Sequence, residues 1–247
     1  MENIRVLDDS QTEAFDVDYM YEARWLKLKA LIDRDFPDGK FSLLDVGGGN
    51  GNFADLVLRN YPEATAVVVD LSDPLLAKNT PNPRKKVVKG SATELQPIAG
   101  PFDIVCCNWL LHHLVGDTYR QSLINIEGTL AQCRRLLSSR GRVCVWENRY
   151  DGMVVDGVPG WLIYSLTSMR SIAKFTHAMG ANTAGVGVCF QSNQQWRQHF
   201  SNTGLKVRDE LPDSNFHASR KPSLKRLALH LKPVGPILYW LEPVAAR

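Results

Sequence analysis

The sequence predicts an α/β fold, a mostly parallel sheet with helices on both faces, and three observations carry that expectation. Short apolar runs at residues 41–46, 65–70, 102–108 and 142–147 alternate with segments of helical periodicity. That rhythm is the one parallel strands make with their crossover helices. The first run breaks into Gly47, Gly48, Gly49 and Gly51 just before a helix begins, and the second stops at an acid, Asp70. Sheets of this kind bind ligands at the carboxyl ends of their strands, where turn and acid both fall.

Taken in order, residues 19–36 place Trp25, Leu28, Leu31, Ile32 and Phe36 at helical spacing, an amphipathic helix ended by Pro37-Asp38-Gly39. Residues 1–40 therefore read as an N-terminal helical extension and 41–247 as the main domain. Residues 53–60 form a helix closed by Tyr61-Pro62, 86–89 a short third strand and 102–108 a fourth. Residues 118–138 make a long helix stopped by Gly141, and 142–147 a fifth strand. From about 148 to 190 the rhythm is interrupted by an insertion. Its centre, with Leu162, Leu166, Met169 and Ala173, reads as a helix with one apolar face. Ser192 caps a helix through Phe200, because Gln195 completes a capping box. Alternating segments near 205–211 and 224–230 read as an antiparallel pair at the sheet edge.

A chain of 247 residues with 44% hydrophobic and 22% charged residues has enough apolar material for a folded core, which excludes extended disorder. A net charge of +3 lacks the dense basic stripe of a nucleic-acid binder. The five cysteines are odd in number and show no C-x-x-C spacing, so they read as reduced buried thiols rather than a disulfide frame or a zinc site. An acidic N-terminus without an apolar core predicts no secretory signal and a cytoplasmic protein. No stretch approaches the roughly 18 apolar residues of a membrane span.

In "LLDVGGGNGNF", Gly47 turns sharply off the strand, and Gly49 and Gly51 leave the backbone open to a ligand. Amides opening the next helix then meet an anionic group. Asp45 precedes the first glycine by two positions, and Asn52 stands where a dinucleotide fingerprint has its last glycine. Asp70 sits where a carboxylate accepts bonds from both hydroxyls of a ribose.

With these residues the chain resembles the class I S-adenosylmethionine-dependent methyltransferases. "LLDVGGGNGNF" looks like their first motif, Asp70 like their ribose acid, "KGSATEL" (residues 89–95) like their adenine-side segment and "PFDIVCCNWLLHHL" (101–114) like their fourth-strand motif. The resemblance covers about residues 40–150. It implies a Rossmann-like seven-stranded sheet with a reversed hairpin at one edge, and S-adenosylmethionine as cofactor. It also implies a cofactor site at Asp45, Gly47, Gly49, Asp70, Leu71, Ser91, Ala92 and Asn108. Where the family often has Asp after Gly90, this chain has Ser91, a weaker acceptor for the adenine amine.

Methyl transfer from a sulfonium is an in-line displacement. A hydroxyl or acidic C–H acceptor must be aligned and deprotonated, and histidine suits that task near neutral pH. "NWLLHHL" resembles the Lys-Trp-Ile/Val-Leu-His-Asp-Trp run of small-molecule O-methyltransferases, whose histidine is the base. Trp109, Leu111 and His112 match it, while Asn108 replaces the lysine and His113 the aspartate. His112 is the candidate base, His113 a weaker candidate, and Glu147 at the end of the fifth strand an acid to orient a base or touch substrate. A purely structural pair of histidines is the alternative. About forty residues precede the motif, so the long N-terminal dimerisation domain of those enzymes is not matched; a homodimer is left open.

Asn108 is followed by Trp-Leu-Leu, not by the Pro-Pro-aromatic run of enzymes that methylate nucleobase or glutamine amines, which argues against nucleic acid as partner. Trp109, Tyr150, Trp161, Tyr164 and Asn182 are the candidate substrate-pocket residues, with core packing as the alternative for each. No third ligand joins His112 and His113, so no metal is expected. The expected function is methyl transfer to a small-molecule acceptor, at a hydroxyl or acidic carbon, of the kind found in secondary metabolism. Two alternatives stay open: non-methylating use of the cofactor, as in cyclisation or aminocarboxypropyl transfer, and a catalytically silent cofactor-binding scaffold.

Overall fold

The computed structural model describes residues 4–6, 11, 17, 19–178, 180, 182–213, 224–232 and 234–244. Among them seven strands form one sheet: β1 (Ser42–Val46), β2 (Thr65–Asp70), β3 (Lys85–Lys89), β4 (Phe102–Asn108), β5 (Leu137–Glu147), β6 (Leu205–Pro212) and β7 (Ile237–Pro243). Their order across the sheet is β3-β2-β1-β4-β5-β7-β6. The first five pair in parallel, whereas β7 runs antiparallel to both β5 and β6. This is the expected parallel sheet with a reversed hairpin. The order turns back at β1 and β4, so the crevice at their carboxyl ends is the place for a ligand.

Helices α1 (Glu22–Asp35) and α2 (Asn52–Asn60) cover one face. Trp25, Leu28, Ile32, Val57 and Leu58 pack there with Leu43, Trp146 and Trp240. After the four-residue α3 (Asp73–Leu76), helices α4 (Tyr119–Arg135) and α7 (Asn193–Asn202) cover the other, where Ile126, Leu130, Trp196 and Phe200 pack with Val105, Val145 and Tyr239. Strand β7 explains itself by this geometry. Ile237 to Leu241 are fully buried, because alternate residues enter opposite cores. Each fully buried aliphatic or aromatic side chain contributes about 1.5–3 kcal/mol, so this run anchors the hairpin.

Three expectations are corrected. The long helix ends at Arg135, and β5 begins at Leu137, ahead of Gly141. Phe102 already pairs with Leu137, and the register slips before Ile104 pairs with Arg142. A Cβ on Gly141 would lie 2.8 Å from Leu137 Cβ, so this glycine permits an irregular strand and does not stop a helix. The last strand is Ile237–Pro243, while Leu224–Ala228, read as strand, is the short helix α8; the aromatic run outcompetes it for the central position. The insertion holds α5 (Val158–Ser168) and α6 (Ala173–Ala178), interrupted at Met169. Leu166 and Met169 of the predicted apolar face are 41% and 48% exposed. The capping box forms as expected: Ser192 Oγ accepts from Gln195 N at 3.1 Å, and Gln195 Oε1 from Ser192 N at 3.0 Å. Among the described residues no helix is long and apolar enough to cross a membrane.

Candidate active site

A cavity of about 640 Å³ opens at the carboxyl ends of β1, β2 and β4. Its floor is the glycine turn. Gly47, Gly49 and Gly51 have φ of 70°, 50° and 75°, a region costly for side-chain-bearing residues. Gly48 is needed for another reason, since its Cβ would sit 2.4 Å from Asp45 Oδ2. Gly51 corrects the expectation of open backbone for a ligand. Its Cβ would fall 1.9 Å from Asn79 Oδ1, and Asn79 braces the turn by donating to Gly49 O at 2.8 Å.

Asp70 ties the turn to β2, accepting from Gly49 N at 3.0 Å and Ser72 N at 2.8 Å, one bond on each oxygen. A carboxylate has about four acceptor sites, which leaves capacity facing the cavity. Burial pushes its carboxyl up, and the backbone donors Ser72, Gly49 and Leu71 partly offset that. Asp45, wholly buried, is pushed up to about 7 by burial first and by the charge of Asp70 next, with Lys85 pulling it down. Its Oδ2 has no hydrogen-bond partner, and neither has either buried amide atom of half-buried Asn108 at the end of β4. Buried polar atoms left so are costly. A ligand bearing an ammonium, a carboxylate and a diol, as S-adenosylmethionine does, fits these orphaned atoms, the glycine cradle and Asp70. At the far end Ala92 is buried, Leu71 is 42% exposed, and Ser91 Oγ is engaged with Thr93 Oγ1 at 2.9 Å.

The opposite wall is the segment after β4. Trp109 has φ 51°, a strain of order 1–3 kcal/mol for so bulky a residue. Surrounding contacts hold it: Trp146 stacks at 5.4 Å, Tyr19 packs at 5.5 Å, and the Arg24 guanidinium lies 4.6 Å from its ring. His112 follows in a 3₁₀ turn, Leu111–His113. Its Nδ1 lies 2.6 Å from Glu147 Oε2, with both side chains buried. Glu147 Oε1 also accepts from His112 N, and Oε2 from Asn148 N, at 3.3 and 3.2 Å. Glu147 itself does not line the cavity; its link to the cavity is the contact with His112. His113 does line it, and burial, then the neighbouring His112, hold its imidazole well below the usual value.

The insertion contributes differently from what was expected. Tyr150 stacks on Phe190 at 4.1 Å, and Phe190 packs on His112 at 4.8 Å. Tyr150, Trp161, Tyr164 and Asn182 lie outside the cavity. Trp161 is 53% exposed, Tyr164 is buried and donates to Gly116 O at 3.2 Å, and the carbonyl of Asn182 accepts from Gln11. In their place Ile4, Arg5, Val6, Val17, Tyr19 and Met20 line the cavity. No motif in that segment announces this, because its place depends on contacts such as Arg5 N to Val115 O at 2.8 Å. All five cysteines are buried and free. Among the described residues no group of three His, Cys, Asp or Glu side chains is placed to hold a metal ion.

Turn, acid and reversed edge hairpin define a Rossmann-like α/β fold with a candidate nucleoside site. Residues 44–145 match a family model described as a methyltransferase domain, and the fold is that of methyltransferases among the solved structures. No curated protein sequence matches the chain. Among solved structures it is similar to the mitomycin 7-O-methyltransferase MmcR, with 15% identity over 83% of this chain and 50% of that one and a TM-score of 0.56. It is also similar to CalO1, a methyltransferase in calicheamicin biosynthesis, with 21% identity over 96% and 59% and a TM-score of 0.52. A protein described as a pericyclic reaction enzyme shares 14% identity over 98% and 59%, with a TM-score of 0.55. The chain thus spans only 50% to 59% of the length of these three.

Proposed function

We propose that the protein transfers a methyl group from S-adenosylmethionine to a hydroxyl or acidic carbon of a small molecule, with His112 as general base. The observation that carries this is the buried contact of 2.6 Å between His112 Nδ1 and Glu147 Oε2 on the cavity wall. Glu147 accepts the Nδ1 proton, which fixes the tautomer and leaves the Nε2 lone pair for the acceptor's proton. Such a base contributes about 10²–10⁴ in rate.

The bound cofactor supplies the electrophilic methyl on its sulfonium. On this reading Asp70 holds the ribose hydroxyls, Asp45 and Asn108 the amino-acid end, and Leu71, Ser91 and Ala92 flank the adenine. Gly47 and Gly49 let backbone approach it. Trp109, held rigid by its stacking partners, closes the acceptor side and excludes water beside His112. Acceptors of secondary metabolism suit the likeness to MmcR and CalO1, and a small molecule suits a walled cavity better than nucleic acid does.

The likeness to a pericyclic reaction enzyme favours one second reading, in which the bound cofactor keeps its methyl and His112 serves a rearrangement. Mass spectrometry of a source extract incubated with methyl-deuterated S-adenosylmethionine separates the two. A metabolite labelled by wild type and not by His112→Ala supports methyl transfer at this base. A new unlabelled product with the cofactor intact supports the second reading, and neither product leaves the binding scaffold.

A further inference from the structure

We propose that the acceptor carries a carboxylate, and that this group seats in a second, cationic cavity beside the catalytic one. The inference rests on the methyl-transfer reading for the word acceptor alone; the anion site stands on its own geometry. The second cavity holds about 190 Å³, and Arg149, Arg226 and Lys232 line it together with Tyr150. Asn148 lines both cavities.

The pocket is built by stapling the residues after β5 to those before β7. Lys232 N donates to Asp151 O at 2.9 Å and Met153 N to His230 O at 2.9 Å, while His230 Nε2 accepts from Val154 N and Val155 N at 2.8 and 3.0 Å. These bonds fix the backbone on both walls. Arg149 Nε is buried and makes no hydrogen bond. Asp151 Oδ2 lies 3.5 Å from it, close enough for charge attraction but not aligned for a bond, and the other oxygen of Asp151 is taken by Asn193 N. Arg149 nonetheless brings its guanidinium into the lining of this cavity, and a planar carboxylate is the group a guanidinium holds through two parallel N–H bonds. Exposed Lys232 adds a second positive charge at the rim.

The position relative to the base selects the kind of molecule. His112, Phe190 and Tyr150 form a continuous pile of rings, with centroids 4.8 and 4.1 Å apart, running from the base to this pocket. An acceptor whose hydroxyl meets His112 Nε2 would carry its carboxylate at the far end, past Asn148, the residue both cavities share. A hydroxyaryl acid, with hydroxyl and carboxylate at opposite ends, is the acceptor class this arrangement favours.

The test titrates the full-length protein, saturated with S-adenosylhomocysteine, with 4-hydroxycinnamate and with its carboxamide by calorimetry. The acid is expected to bind roughly 10- to 100-fold tighter than the amide. Arg149→Gln and, independently, the exposed Lys232→Gln are expected to shrink that ratio and leave amide and S-adenosylhomocysteine affinities unchanged. Acid binding no tighter than the amide's, absence of both included, overturns the proposal, as does a ratio untouched by Lys232→Gln with Arg149→Gln folded. The labelled metabolite from the extract experiment is expected to be retained on an anion exchanger at pH 8; a neutral product overturns the proposal while sparing methyl transfer. Acid-over-amide discrimination without any labelled product keeps the anion site and sinks methyl transfer.

Discussion

The two sides of the cavity are built by different means. On the proposed cofactor side one β-α-β unit supplies the glycine turn and Asp70, and it locks itself: Gly47 N donates to Val69 O at 2.7 Å and Gly49 N to the side-chain Oδ2 of Asp70 at 3.0 Å. On the acceptor side, His112 and Glu147 come from elements 35 residues apart. Behind His112, Phe190 and Tyr150 come from the insertion, and Tyr19 on the cavity wall comes from the N-terminal segment. A turn locked within one β-α-β unit is set by turn chemistry, whereas a wall assembled from distant elements is set by packing. Substitutions on the two sides should therefore fail in different ways, one in binding and the other in chemistry.

The strongest way to break that contrast is His112→Ala. Loss of the base is expected to lower kcat by about 10²–10⁴, with the cofactor dissociation constant within about twofold of wild type; stopped-turnover assays and calorimetry on one preparation read both. A parallel collapse of cofactor binding would join the two sides into one unit. Next in size is Asp70→Ala, which removes the proposed ribose acceptor and the bond to Gly49. Cofactor affinity is expected to weaken roughly 10- to 100-fold, and kcat at saturating cofactor to hold. An unchanged affinity would remove Asp70 from the ribose.

A smaller effect sharpens the cofactor side by pH. Asp45 has its carboxyl raised to about 7 in the folded chain against an ordinary 3.8. The folded state thus binds more protons than the unfolded one between those values, and stability falls as pH rises from about 4 to 7. A bound ammonium favours the ionised form, so cofactor affinity is expected to move oppositely, tightening by up to tenfold per unit toward pH 7. The range to measure ends near pH 7.5, below the roughly 7.7–8.0 of a free α-amine. Asp45→Asn should flatten both profiles; a slope that survives it belongs to another group.

How much the sequence reveals follows the same division. Gly47, Gly49, Asp70 and Asn108 all fall on the cavity, because a glycine turn and a strand-end acid carry their geometry in their spacing. Gly51 meets Asn79 instead, a contact made across the turn by α3 and the residues after it. His112 is legible through its place beyond β4, but its pairing with Glu147 needs the register of β4 on β5. Trp161 and Tyr164 share one helix and one aromatic character, and only packing separates them: one stays half exposed while the other reaches Gly116 O. Composition does not encode that choice.

The smallest expected effect tests this last separation. Trp161→Ala removes a large side chain that is 53% exposed and outside the cavity, and a surface change of that kind stays within about 0.5 kcal/mol. kcat/KM is expected to remain within about twofold of wild type. Tyr164→Phe deletes the hydroxyl that donates to Gly116 O, leaving a buried acceptor short of a bond at a cost of about 1 kcal/mol. That loss should register in thermal unfolding and not in turnover. If Trp161→Ala lowers kcat/KM tenfold, the exposed face of α5 takes part in acceptor capture, and the acceptor side extends beyond the walls drawn for it. If turnover holds in both variants while only Tyr164→Phe unfolds earlier, the insertion divides into a scaffold at α5 and a working edge at Tyr150 and Phe190.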